Sequence, residues 1–330
     1  MPAKRINGVA RRALLIGVLT GPALIDRPAR AQTPFPTGPV TLIVPFPPGA
    51  STDVTFRIVA GKLSEMWKQP VVVDNKGGAN GIIAAEAAMR AKPDGHTLLT
   101  TSSMTHAGNP VLYDKLSYDP IKDFEPVTRI ALSPLVMLVH KGLKLKTLAE
   151  LTALLKREPG KHNFGSGAIS ARVAGELYRM LAGVDAVHVA YRNNQLAAPD
   201  LNSGAISFMV PDLSSAKMIL ASGWADALAI TQKSENPFLP GVPGADTNGL
   251  PGFVFTTWSA VYAPKGTPKD IVDRLNRDFI AAGTSPQVNK KLMDMGGPIN
   301  PTTPEGLRDF TLSEIEAWRK VVKAANIRIE

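Results

Sequence analysis

Residues 40–66 read VTLIVPFPPGASTDVTFRIVAGKLSEM. Val40 to Val44 form an unbroken apolar run of strand length, the pattern of a strand covered on both faces. Pro45, Pro47, Pro48 and Gly49 then stop it. Ser51 or Asp53 is expected to cap a helix, because Val54, Ile58, Val59, Leu63 and Met66 recur at helical spacing. A buried strand turning through a stiff polar corner into a helix opens a βαβ unit.

The unit repeats. VVVDN (71–75) reads as a second strand, KGGANG (76–81) as a glycine-rich turn and IIAAEAAMRA (82–91) as a helix of small residues. HTLLTT (96–101) reads as a third strand running into SSMTHAGNP. This order predicts parallel pairing with right-handed crossovers. The pattern restarts with PLVMLVH (134–140), a helix over 147–158, a strand and glycine turn in HNFGSG (162–167), and a helix over 171–183. Strands follow at 186–191, 206–211 and 225–230. A Pro/Gly loop (237–252) precedes the β-rich FVFTTWSAVYAP (253–264), and helices over 268–282, 285–295 and 304–325 close the chain.

The expected architecture is therefore α/β, with two Rossmann-like domains that exchange chain. One spans 38–130 and is completed by 256–330; the other spans 134–252. Connections near 127–134 and 253–261 are expected to form a two-segment hinge. In open α/β sheets ligands sit beyond the carboxyl ends of the strands. Those ends carry PFPPGAST, SSMTH, GSGAIS, YRNN and PDLSS, all rich in Gly, Ser or Asn. Several open helices, whose first N–H groups are unpaired and partly positive. Such a cleft suits a carboxylate or phosphate.

Composition narrows the function classes. The chain has 330 residues, 44% of them hydrophobic and 20% charged, enough for two cores. The absence of cysteine removes a thiol nucleophile, a disulfide frame and a Cys-ligated metal. His96, His106, His140, His162 and His188 lack the spacing of a metal site, and no dinucleotide, P-loop or hydrolase-elbow motif follows the first strand. No metal and no cofactor are expected. Residues 1–31 have a basic start (Lys4, Arg5, Arg11, Arg12), an apolar stretch over 13–25 and the small-x-small site Ala29-Arg30-Ala31. That order marks an export signal cleaved after Ala31; Arg11-Arg12 also fits the twin-arginine route. Its six basic residues against Asp26 make a net +5, so the chain's +9 falls to +4 after cleavage. The remaining charge is dispersed, which argues against nucleic acid and for small anions.

Several stretches resemble the Bug-type substrate-binding proteins of tripartite tricarboxylate transporters. They are residues 40–81, KPDGHTLL (92–99), YDPIKDFEPVT (118–128), AGELYRMLAGVDAVHVAY (174–191) and APKGTPKDIVDRLN (263–276). The resemblance implies a periplasmic two-lobed Venus flytrap fold with no enzymatic activity. It implies a monomer that binds a small organic carboxylate between its lobes and hands it to membrane permease subunits. The family's first ligand loop falls on Pro47, Pro48, Gly49, Ala50, Ser51 and Thr52, and its second on Ser102, Ser103, Thr105 and His106. Its second-lobe contacts fall on Gly165, Ser166, Gly167 and Tyr191. Three departures stand out. Ala50 replaces a common Gly. The loop GSGAISARVAGEL (165–177) is two residues shorter than the family pattern and poorer in hydroxyls. Pro211 takes the usual Asp position, with Asp212 one step on. Arg172, near the start of the following helix, is expected to grip a carboxylate with its guanidinium fork. Asp212 is expected either to hold a ligand amino group or to cap the next helix. Trp258 is expected to pack at the hinge. The alternatives are an exported hydrolase using Ser51 or Ser102 with His106, and a sensory subunit that presents ligand to a membrane kinase.

Protein recovered from an exporting bacterium should begin at Gln32 by N-terminal sequencing. A full-length cytoplasmic product would refute the export signal.

Overall fold

The computed structural model describes residues 35–295 and 299–327. The expected export signal and its cleavage point at Ala31 lie outside the described residues.

The first sheet grows from the opening stretch. β1 (Val40–Val44) pairs in parallel with β2 (Val71–Asn75) and β3 (Thr97–Ser102), and α1 (Ser51–Trp67) and α2 (Ile82–Met89) make the crossovers. Its other two strands are β4 (Phe124–Pro134) and β10 (Thr256–Pro264), and the full order is β2-β1-β3-β10-β4. The second sheet repeats the plan. β6 (Asn163–Ser166) lies parallel to β7 (Val187–Ala190) and β8 (Phe208–Met209), while β5 (Val136–His140) and β9 (Ala225–Ile230) complete the order β7-β6-β8-β5-β9. Its helices are α4 (Leu148–Arg157), α5 (Ile169–Ala182), α6 (Asn194–Ser203) and α7 (Leu213–Ala221). A short α3 (Asn109–Leu112) follows β3. The C-terminal α8 (Lys269–Thr284), α9 (Pro286–Asp294) and α10 (Pro304–Ala324) fall where helical spacing put them.

Two features depart from the sequence reading. β4 is an eleven-residue strand where only a connection was expected. In addition, β10 runs antiparallel to β3 and β4, as β5 does to β8 and β9. The reason is topological. The chain leaves the first sheet along β4 and enters the second along β5; it leaves the second along β9 and returns along β10. Outgoing and returning segments lie side by side, so each pair must be antiparallel. Residues 127–134 and most of 253–261 are thus paired strand. The change of sheet falls at Leu135 and within 231–255.

Fully buried Thr231 ties the two passages together. Its Oγ1 accepts from the Leu135 amide (2.8 Å) and donates to the Phe255 carbonyl (2.6 Å). Its own amide donates to Leu135 O (2.9 Å), and its carbonyl accepts from the Phe255 amide (3.1 Å). α10 then clamps the returning strand. Trp318 is fully buried 5.6 Å from the Phe255 ring, and Tyr262 bonds Thr311 through their hydroxyls (2.6 Å). Gly108 leaves room for that indole; a Cβ there would lie 2.9 Å from it.

Thr231→Val keeps the shape but strands the buried Leu135 amide and Phe255 carbonyl. It should cost about 1–3 kcal/mol, read as a lower urea midpoint at unchanged slope. An unchanged midpoint would show that the hydroxyl does not join the passages.

Candidate functional site

The strand ends converge on a cleft of about 650 Å³. The α1 start and the end of β3 form one wall. The ends of β6 and β7 with the starts of α5 and α7 form the other, and residues 130–133 of β4 and 257–259 of β10 form the floor. Most lining segments of the two walls are a strand's carboxyl end or a helix start, as expected for an open α/β sheet.

On the first wall, Ala50, Ser51, Thr52, Ser102 and Ser103 line the cleft. The N-cap of α1 is Ala50, not Ser51 or Asp53, and no side chain caps the helix. Asp53 turns back to brace the corner, accepting from Gly49 N (2.8 Å), Arg57 Nε (3.0 Å) and Asn75 Nδ2 (2.8 Å). Burial alone would raise its carboxyl pKa, but hydrogen bonds from Arg57, Asn75 and Gly49 outweigh that and hold it below the usual range. With Asp53 so engaged, the first α1 amides face the cleft without a capping partner. Gly49, at φ 86°, supplies the left-handed turn, while Ala50 is extended (φ −63°, ψ 152°) and suffers nothing from its Cβ. Ser102 is 8% exposed and its Oγ has no hydrogen-bond partner.

Six of the expected contacts are placed elsewhere. Pro47, Pro48 and Gly49 form the outer turn, exposed and away from the lining. Thr105 and His106 lie buried behind the first wall, in a π turn over 104–108. Thr105 Oγ1 bonds the Ser102 backbone, and His106 Nδ1 bonds Thr101 Oγ1 (2.8 Å). The His106 ring lies 4.2 Å from that of Tyr262, and burial pushes its pKa down to about 3. The Ser51/Ser102–His106 pair therefore does not form. Gly165 is buried within β6, where a Cβ would meet Ile206 at 2.4 Å.

On the second wall, Ser166, Gly167, Arg172, Tyr191 and Asp212 all line the cleft. Gly167 passes so close to the α6 start that a Cβ would lie 1.8 Å from the Asn193 carbonyl carbon; its amide donates to Asn194 Oδ1 (3.0 Å). Tyr191 donates its hydroxyl to Asp200 (2.6 Å). Asp212 caps α7, accepting from Ser215 N (2.9 Å), Ser215 Oγ (2.7 Å) and Asn194 Nδ2 (3.3 Å). Of its two expected roles, capping is the one in place. Asn193 caps α6, and a Thr147–Glu150 capping box closes α4. The start of α5, at Ala168, has no side-chain cap. Arg172 sits in its first turns, its Nε buried without a partner.

Sequence reasoning missed His188, which faces the cleft from β7 and bonds Ser166 Oγ through Nε2 (2.7 Å). Burial, then Arg172 and Arg179, push its pKa down to about 4, so it is neutral at pH 7. Its place on the strand that leads into YRNN was the available signal. Trp258 lies on the floor, nearly buried, and its indole N–H donates to Glu314 of α10 (3.0 Å). Burial pushes the Glu314 carboxyl up to about 7, against the smaller pull of Trp258 and Arg129. Among the described residues, no group of three or more His, Asp or Glu side chains is arranged to hold a metal ion, and no helix is long and apolar enough to cross a membrane.

Comparison with known proteins agrees with this architecture. BugT of Bordetella pertussis is 34% identical over 98% of this chain and 99% of its own. An R. palustris protein solved with adipate superposes with a TM-score of 0.76 at 33% identity, covering 89% of this chain and 99% of that one. MatC from Rhodopseudomonas palustris, solved with bound malate, superposes at 0.71 and 31% identity, covering 87% and 100%. Residues 55–327 match the model of the tripartite tricarboxylate transporter family receptor, and the chain is a two-lobed α/β solute-binding protein of that family.

Proposed function

We propose that this protein is a periplasmic receptor that captures a small organic carboxylate between its lobes, as a monomer, and delivers it to the permease subunits of a tripartite transporter. The observation that carries the reading is the second wall. There Arg172, its buried Nε without a partner among the described residues, stands at an uncapped helix start. A carboxylate docked there meets a guanidinium fork and free amides together. The adipate and malate held by the two R. palustris proteins are acids of the same kind.

The first lobe then comprises residues 38–134 with the chain from 256 onward, and the second 136–230. The hinge is the pair of passages joined at Thr231. Ligand contacts made only when the walls approach would favour the closed form.

A second reading has one observation in its favour, the Ser166–His188 bond of 2.7 Å. It lacks the rest of a hydrolase. No carboxylate orients His188, and two arginines oppose the imidazolium that a general base must become.

Calorimetry with adipate and malate tests the receptor reading. Arg172→Ala should weaken binding by roughly 1.5–3 kcal/mol, about tenfold to more than a hundredfold. Arg172→Lys should recover only part, because a point charge cannot make two parallel bonds. Affinity unchanged in Arg172→Ala would remove Arg172 from the site. Small-angle scattering should give a smaller radius with saturating ligand, and an equal radius would count against closure. Ester hydrolysis abolished by Ser166→Ala would sink the binding-only reading.

A further inference from the structure

We infer that the cleft is built for a dicarboxylate without an ammonium group, and that it turns away the α-amino and tricarboxylate counterparts of such an acid. The inference rests on the carboxylate-receptor reading above and narrows it.

The cleft offers two anion seats on opposite walls. One is the uncapped start of α1 beside Ser102, whose Oγ is buried and unpartnered although the residue lines the cleft. A buried hydroxyl with no protein partner needs one, and beside the cleft a ligand oxygen or a water can supply it. The other seat is the uncapped start of α5 with Arg172, whose buried Nε also lacks a partner. Each seat therefore combines free helix amides with an independent, unfilled donor.

A third seat is missing. The remaining helix start at the cleft, that of α7, is closed by the Asp212 side chain. His188 is held neutral by its surroundings and already bonds Ser166, so it adds no second cation beside Arg172. A third carboxylate would be stripped of water without a matching charge.

An ammonium fares no better. Asp212 is the sole carboxylate among the described lining residues. Three donors occupy it, out of about four acceptor positions that a carboxylate has. It also lies at the positive end of α7, so its charge is already compensated. The Arg172 guanidinium on the same wall repels a second cation.

The test is calorimetry of the mature chain at neutral pH and moderate salt. Succinate, glutarate and adipate are compared with aspartate, glutamate and 2-aminoadipate, and glutarate with tricarballylate, which is glutarate bearing a third carboxylate. The expected result is binding of at least one diacid, with its amino counterpart and tricarballylate weaker by more than about fivefold. An amino counterpart or tricarballylate within about fivefold of the best diacid, or tighter, overturns the inference and leaves the carboxylate reading standing. Binding by none of these acids overturns both.

Discussion

Thr231 stands where one chain must cross twice between two sheets. At that level the outgoing segment has ended one strand and not begun the next, and the returning segment is a loop. Neither can complete a ladder, yet buried backbone groups must be paired. A single residue solves this with its amide, carbonyl and hydroxyl, bonding Leu135 on one side and Phe255 on the other. The antiparallel placement of β5 and β10, and the common axis of the two passages, follow from holding out-going and returning chain together.

The cleft above it is organised by where capping is present and where it is withheld. Side chains close the starts of α4, α6 and α7. The starts of α1 and α5, on opposite walls, have alanine at the cap position and no side-chain bond. Helix amides without a side-chain cap stay available to a bound anion. Asp53 and Asp212, the two carboxylates nearest these walls, are held by local donors and do not quench the cleft's positive character. The shortened second-wall loop fits the same scheme: Gly167 packs directly on the α6 start, and Arg172 supplies charge where hydroxyls are few.

Much of the fold was legible in residue order. Apolar runs gave β1 and β5, and helical spacing placed α1, α5 and the three closing helices, because periodicity is a local property of the chain. β4 was missed because its residues, FEPVTRIALSP, lack a simple apolar run or alternation; pairing with β10 makes them a strand. The cleft was half legible. Carboxyl strand ends identified the right loops, but within each loop residue order does not say which side chain faces the ligand. Thr105 and His106 turn inward through a π turn, and Gly165 is covered by its neighbours. His188 turns outward from a strand that looked structural.

By itself the sequence determined the α/β class, from periodicity, and the family, from motifs shared in order along the chain. It also determined that a charged fork, Arg172, stands where the family loop is shortened. Only the tertiary structure decided that the Arg172 Nε lacks a partner among the described residues, that Asp212 is committed to α7, and that the buried Ser102 hydroxyl is left unpartnered. These are properties of pairs of groups distant in sequence, and whether a charge is free or already satisfied depends on what folding brings beside it.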